Sequence, residues 1–181
     1  MKKYLIALMV ALSLMTMATM SWALTMGDVG GLDDLMYEDS LANIRVDTGI
    51  TPQDAAILAW IKVKLSDDNI TYDNKINDMT GWSPISGSAG VYALGLTVNP
   101  EYFVVKTGSG AVGDGHDVFL FDNLDKLAYA VVDLEEMGIG IENISAISHV
   151  NEYNGTEVPE PATLILLGLG LLGIAGIRRK K

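Results

Sequence analysis

The spacing of apolar residues in the first half of the chain predicts one amphipathic helix, over residues 51–65. Four of them recur at intervals of three and four, which is typical of a helix with one buried face. These residues are Ile57, Leu58, Ile61 and Leu65. Trp60 lies beside this face, and Lys62 and Lys64 are expected to point to water. The pair Thr51-Pro52 predicts the start, with Thr51 as the cap and Pro52 at the first helical position.

From residue 81 onwards, short runs rich in Val, Ile, Tyr and Phe alternate with Gly, Asn and Asp, a pattern that favours strands. The predicted strands are 91–98, 101–107, 117–121, 126–132 and 144–150. In the acidic, weakly patterned stretch 24–50, one strand is expected at 44–46. Several short antiparallel strands usually pack as a sandwich. The pattern therefore predicts a mainly β fold, a small antiparallel β-sandwich with one α-helix on its N-terminal side.

The N-terminal 23 residues have the pattern of a secretory signal peptide. Lys2 and Lys3 precede an apolar run over residues 4–20, and the small residues Ser21 and Ala23 follow it. Signal peptidase accepts only short side chains at these two positions, so cleavage is predicted after Ala23. The alternative is a retained N-terminal anchor, because 17 apolar residues come close to the length that spans a bilayer.

The C-terminal end has three parts. It reads Val158-Pro159-Glu160-Pro161, then the uncharged stretch 162–177, then Arg178-Arg179-Lys180-Lys181. As a helix, the 16 uncharged residues reach about 24 Å, short of a hydrocarbon core of roughly 30 Å, so a permanent anchor is marginal. The four positive charges are expected to stay cytoplasmic, which places the preceding domain outside the inner membrane. Proline at 159 and 161 keeps the strip before the helix extended.

This tail resembles the PEP-CTERM sorting signal, and Val158 to Pro161 followed by Ala162-Thr163-Leu164 is similar to its commonest form. The resemblance implies an exported protein of a Gram-negative, exopolysaccharide-producing bacterium that is recognised by the membrane enzyme exosortase. The alternative is a plain tail-anchored protein. Three segments follow: 1–23 as signal peptide, 24–157 as an extracytoplasmic β-rich domain that folds alone, and 158–181 as the sorting segment with motif, transmembrane helix and basic tail. The stretch after Asn154 is expected to be a linker.

The middle of the chain also resembles the extracellular domain of many small PEP-CTERM proteins. The residues that carry this resemblance are Tyr102 to Thr107, Val118 to Asp122, Ala130 to Val132 and Ile147 to Val150. In that family a strand ending in Lys leads to a Gly-rich loop, a Phe-rich strand and a final Ile-Ser-His strand. The resemblance implies a small β-sandwich without an established activity.

The charge and composition of residues 24–158 exclude several classes of partner and site. Residues 24–158 hold six of the 12 basic residues and 22 of the 23 acidic ones, a net charge of −16. Such a domain repels nucleic acid and anionic lipid surfaces, so no nucleic acid is expected among its partners. The chain has no cysteine, which excludes disulfides, thiolate catalysis and metal sites that need sulfur.

Candidate catalytic groups are few. The two histidines are His116, in a loop, and His149, in an alternating strand. A Ser-His-Asp triad could be assembled from Ser148 or Ser109, but the chain has no Gly-x-Ser-x-Gly elbow. His149 is interpreted as a strand histidine bonded to nearby backbone. The protein is expected not to be an enzyme, with no catalytic residue and no cofactor.

Clustered carboxylates raise the possibility of a calcium site. One cluster consists of Asp114, Asp117, Asp122 and Asp125, and a second of Asp67, Asp68, Asp73 and Asp78. The second lacks the glycine and terminal Glu of an EF-hand. The preferred interpretation is a solvated acidic surface, with no metal ligands assigned.

Trp82 is the one aromatic residue predicted in a turn-rich loop, where an exposed ring could stack on a sugar. Together, these patterns predict an exported surface or extracellular-matrix protein, associated with exopolysaccharide and without catalytic activity. Its expected partners are signal peptidase, exosortase, exopolysaccharide and, transiently through residues 162–177, the inner membrane. The alternative is a membrane-retained extracytoplasmic module that binds a glycan or Ca²⁺.

Overall fold

The computed structural model describes residues 23–108, 112, 115–124, 128–154 and 156–157. Most of the predicted signal peptide and all of 158–181, including the predicted hydrophobic helix 162–177, lie outside these residues. The α-helices are α1 (Met26–Val29), α2 (Leu41–Thr48) and α3 (Gln53–Leu65), with short 3₁₀ helices at Met79–Gly81 and Ile144–Ala146. No helix within this described part is long and apolar enough to cross a membrane.

The strands form three antiparallel sheets, which confirms a mainly β fold. They are β1 (Asp34–Asp39), β2 (Tyr72–Ile76), β3 (Ser83–Pro84), β4 (Val91–Gly95), β5 (Val98–Asn99), β6 (Tyr102–Thr107), β7 (Val118–Asp122), β8 (Tyr129–Asp133), β9 (Ile147–Tyr153) and β10 (Thr156–Glu157). One sheet has the order β1-β7-β6-β9-β2, a second the order β3-β4-β8, and β5 pairs with β10.

The central layer is the five-stranded sheet, which is covered on both faces. On one face, Phe103 and Phe121 stack with ring centroids 5.0 Å apart and pack against Leu94 and Val132 of the three-stranded sheet. On the other face, Val104 and its neighbours pack against α2 and α3. A strand with both faces buried needs no polar alternation, which explains the apolar runs in β6 and β7.

A third cluster closes the outer face of the three-stranded sheet. Val29 of α1 packs there against Val91 and Val131, with Leu24 at the edge. The molecule therefore stacks helices α2 and α3, the five-stranded sheet, the three-stranded sheet and the N-terminal segment in that order. The first and last layers were predicted incompletely, since one helix was expected and the described residues contain three.

The predicted strand at 44–46 is wrong, because these residues lie inside α2. The side chain of Ser40 accepts a hydrogen bond from the Asn43 N–H at the start of this helix, and Gly49, with φ of 69°, ends it. Ile44 is its one buried residue. Helix α3 was predicted correctly to Leu65 but begins at Gln53, after Pro52 and without a side-chain cap.

Strand boundaries differ in three places. The expected strand 91–98 is divided into β4 and β5, the strand expected at 144–150 runs instead from Ile147 to Tyr153, and the edge strands β1 and β2 were not predicted. Edge strands with exposed polar positions lack the apolar alternation on which the prediction rests. The remaining predicted strands, 101–107, 117–121 and 126–132, correspond to β6, β7 and β8.

Candidate functional site

The C-terminal end of the domain, strand β10, is paired with another strand. After β9, Asn154 has a φ of 53° and its side-chain oxygen accepts the Thr71 N–H at 2.9 Å. Strand β10 then pairs with β5, with Thr156 opposite Asn99 and Glu157 opposite Val98. The expected linker after Asn154 is therefore wrong for Thr156 and Glu157. The predicted sorting segment starts at the next residue, directly beside the fold.

Glu152 anchors strand β5, with which β10 pairs. Its side chain is fully buried, and one carboxylate oxygen accepts the Thr97 N–H at 2.7 Å and the Val98 N–H at 3.3 Å. The other oxygen accepts from the Asn74 amide at 2.9 Å and from the Thr97 hydroxyl. These four hydrogen bonds satisfy the buried carboxyl group, so β9 holds β5, and β5 in turn holds β10.

The N-terminal end of the domain is also hydrogen-bonded to the rest of it. Ala23 is exposed, whereas the Leu24 carbonyl already accepts the Ser86 N–H at 2.8 Å. Thr25 and Asp28 then form a reciprocal capping box at the start of α1. Cleavage after Ala23 remains a prediction, and it would leave Leu24 as the first residue, bonded into the domain.

His149 lies in a buried polar cluster between the five-stranded sheet and the start of α3. Its Nε2 is 2.9 Å from the amide nitrogen of Gln53, and its Nδ1 is 3.1 Å from Ser148 Oγ. Burial is the main reason why the pKa of His149 falls to about 4, with Lys75 and Lys106 lowering it further and Asp54 opposing them. The imidazole is therefore neutral near pH 7.

The neutral state of His149 makes stability depend on pH. An unfolded histidine titrates near 6.5, so below that pH the unfolded chain binds a proton that the folded chain does not bind until about pH 4. The free energy of unfolding should fall by about 2 kcal/mol from this residue between pH 7 and pH 5. Urea unfolding of wild-type protein and His149→Gln at both pH values measures it.

The matched control is His116→Gln. His116 is partly exposed, with Nδ1 3.3 Å from Glu38 Oε1, so this variant also removes one histidine from the chain but leaves the buried cluster around His149 undisturbed. The His149→Gln variant should lose that part of the slope while the carboxylates of both proteins titrate alike. Equal slopes for wild type and His149→Gln would contradict the neutral buried imidazole.

The structure does not arrange His149 as a general base for the neighbouring serine. The Gln53 amide nitrogen donates to Nε2, so the neutral ring carries its proton on Nδ1 and donates to Ser148 Oγ. A base for Ser148 would need the reverse arrangement. The interpretation of His149 as bonded to backbone is corrected to side-chain partners, and Ser109 lies outside the described residues.

The first acidic cluster does not remain together as a solvated group. Asp117 is only 8% exposed; its Oδ2 lies 2.9 Å from Lys106 Nζ and its Oδ1 accepts the Leu41 N–H at 2.7 Å. The solvated interpretation is therefore wrong for Asp117. Asp114 and Asp125 lie outside the described residues, among which no group of three His, Asp or Glu side chains is placed to hold a metal ion.

Trp82 is not the exposed aromatic residue that the sequence suggested. It is 8% exposed, belongs to the core cluster between the two sheets, and donates its indole N–H to Met79 Sδ at 3.4 Å. A 3₁₀ turn at Met79–Gly81 directs the ring inwards. Stacking of Trp82 on a sugar ring is thereby ruled out in this conformation.

Comparison with known proteins finds a match in the C-terminal tail. No curated protein and no solved structure matches the chain. Residues 157–180 match the PEP-CTERM protein-sorting motif, a stretch that begins at the last residue of β10 and includes Val158 to Pro161 and Arg178 to Lys180. The motif marks an exported protein with a transiently membrane-anchored C-terminal signal that exosortase processes. The C-terminal tail of this chain is therefore a PEP-CTERM protein-sorting signal.

Proposed function

We propose that the domain over residues 24–157 is a non-catalytic component of the cell surface or extracellular matrix, associated with exopolysaccharide, which the sorting signal delivers. The observation that carries this proposal is the PEP-CTERM match at 157–180, directly after a folded domain. Removal of the signal peptide by signal peptidase after Ala23 is part of the same proposal.

The described fold supports this role in two ways. Both ends of the domain are hydrogen-bonded to the rest of it, Leu24 to Ser86 and β10 to β5. Processing at either end can therefore leave the core intact. His149, whose pKa is lowered by burial, is engaged by the neutral side chains of Gln53 and Ser148. That arrangement favours a structural role for the polar cluster.

Cell fractionation tests delivery. In a host with exosortase, an epitope tag inserted after Ala23 should appear in the surface or medium fraction, on a chain whose mass shows loss of the tail. Changing Pro159 and Glu160 together to Ala should retain the tagged chain in the inner membrane with its tail intact, because the motif recognised by exosortase is altered.

The control is Pro52→Ala, which removes an exposed proline from the domain and should leave delivery unchanged. Recovery of the wild-type chain only in the inner membrane, with an intact tail by mass spectrometry, would reject sorting and leave a membrane-retained protein.

The alternative is that membrane-retained protein acting as an extracytoplasmic binding module for a glycan or Ca²⁺. One observation favours a glycan: an open cleft of about 510 Å³ beside the β3–β4 hairpin, whose lining includes the half-buried Tyr92 and Ser88 and the exposed Glu142. A tyrosine ring and nearby polar groups are suited to sugar contacts. Retention in the membrane together with binding to exopolysaccharide would select this alternative.

A further inference from the structure

Positive charge on the described part of the domain is concentrated in the helical layer. Lys75 pairs with Asp54 at 3.3 Å, and Lys106 pairs with Asp117 at 2.9 Å. The other three basic residues of this part are Arg45, in the last turn of α2, and Lys62 and Lys64, in the last turn of α3. We call this surface of α2 and α3 the helix face.

The helix face also carries exposed aliphatic side chains. Val46 is 81% exposed and Val63 is 74% exposed, although valine is a weak helix former and neither side chain contributes to the core. Beside Val63, a cleft of about 370 Å³ is lined by residues of both helices, including Trp60, the cation Lys64 and one carboxylate, Asp47. Two exposed valines flanked by cations beside a cleft are typical of a protein contact surface.

A group of carboxylates lies at the start of β1 and at the end of β8, and we call it the acidic face. It consists of Asp34, Asp133, Glu135 and Glu136. Burial, and then the nearby Asp133 and Asp34, raise the pKa of Glu136, so these three carboxylates lie close enough to repel one another. None of the four forms an ion pair with another residue that the structure describes.

The acidic face also has apolar neighbours, since Leu32 is 36% exposed and Leu124 is 50% exposed. Leu124 is held close by, because its N–H donates to Asp33 Oδ1 at 3.3 Å. Asp133 ends a strand of the three-stranded sheet, which covers the face of the central sheet opposite to α2 and α3. One molecule therefore carries two different surfaces with exposed aliphatic residues, one with more cations than carboxylates and one formed by carboxylates.

We propose that the helix face of one chain docks on the acidic face of a second copy of this chain. The charges are complementary, and contact relieves the repulsion among Asp34, Asp133 and Glu136 while it covers Val46 and Val63. Because the two surfaces differ, the contact is head-to-tail and leaves one surface of each kind open, so the copies can continue into a chain of domains. This inference is independent of the sorting role.

Cysteine cross-linking tests the contact without background, because the chain has no cysteine of its own. Full-length Val46→Cys and Leu32→Cys chains are mixed in an uncharged detergent and oxidised mildly. Docking predicts that the 46–32 disulfide exceeds both the 46–46 and the 32–32 disulfide by about tenfold, which corresponds to about 1.4 kcal/mol of preference. The excess should disappear in about 0.5 M NaCl, where the Debye length is roughly 4 Å.

Charge variants locate the surfaces. Lys64→Glu in the Val46→Cys chain, or Glu136→Lys in the Leu32→Cys chain, should abolish the excess, and Asp68→Asn, an exposed acid outside the acidic face, should not. Moving Lys64→Glu to the Leu32→Cys chain and Glu136→Lys to the Val46→Cys chain leaves the tested contact intact, so the disulfide should return. A statistical 1:2:1 ratio of the 46–46, 46–32 and 32–32 disulfides, persistence of the excess in salt, or a requirement for added Ca²⁺ would overturn the proposal.

Discussion

Replacing Asp117 with Asn should lower the free energy of unfolding by about 3–5 kcal/mol, because it leaves a buried lysine without its counter-charge. Lys106 and Asp117 are 5% and 8% exposed, with Nζ and Oδ2 2.9 Å apart. Lys106 also donates to the Thr107 carbonyl at 2.6 Å, and Asp117 holds the first N–H of α2 at 2.7 Å. The change therefore affects both β6 and the docking of α2. Urea unfolding of residues 24–157, followed by tryptophan fluorescence, measures it.

Two further variants isolate the ion pair. Lys106→Met combined with Asp117→Asn should be more stable than Asp117→Asn alone, because no buried charge then lacks a partner. Asp54→Asn breaks the more exposed pair with Lys75 and should cost about 1 kcal/mol or less. If Asp117→Asn unfolds like Asp54→Asn, the Lys106–Asp117 pair contributes little and the account of this site is wrong.

This ion pair also changes how calcium binding to the domain must be tested. In the sequence, Asp117 belongs to an acidic cluster and was interpreted as solvated, whereas in the fold both of its carboxylate oxygens are occupied. A calcium ion at Asp117 would have to displace Lys106. Loss of a calcium effect in Asp117→Asn would therefore report unfolding as well as binding, and Asp67 or Asp68 is a better place for such a substitution.

The strands that the sequence predicted best are those buried on both faces. Strands β6 and β7 are apolar over consecutive residues, and their β-branched and aromatic side chains identify them without knowledge of the sheet order. The end of β9 was missed because Asn151 and Glu152 look like loop residues. Both are fully buried, and their partners, Asp54 for Asn151 and Thr97 for Glu152, lie far away in the sequence, so local pattern cannot indicate them.

The sequence contains signals for both ends of helix α2, although the spacing of its apolar residues does not indicate a helix. Ser40 and Gly49 are the residue types that begin and end helices, and the structure uses both in this way. The helix has one buried residue, Ile44, so the spacing of apolar residues cannot predict this helix. The sorting tail is the opposite case, because its three parts follow one another in the chain and can be read without the fold.

The two core clusters can be probed by truncating one aromatic side chain in each. Phe119 is fully buried between the sheets, and Trp60 is 3% exposed between the helices and the central sheet. Phe119→Ala and Trp60→Ala should each lower the free energy of unfolding by about 3–5 kcal/mol, through lost transfer free energy and the cavity left behind. Urea unfolding of residues 24–157, monitored by circular dichroism, gives both values without depending on Trp60 fluorescence.

Trp60→Phe distinguishes packing from hydrogen bonding at this position. The Trp60 indole nitrogen is buried with no hydrogen-bond partner among the residues that the structure describes, and such a donor costs about 1–3 kcal/mol in the folded state. Phenylalanine removes that donor and still fills most of the site, so Trp60→Phe should cost less than about 1.5 kcal/mol. A loss as large as that of Trp60→Ala would mean that the indole N–H is satisfied in solution, and that the contact between α3 and the sheet depends on a hydrogen bond as well as on apolar packing.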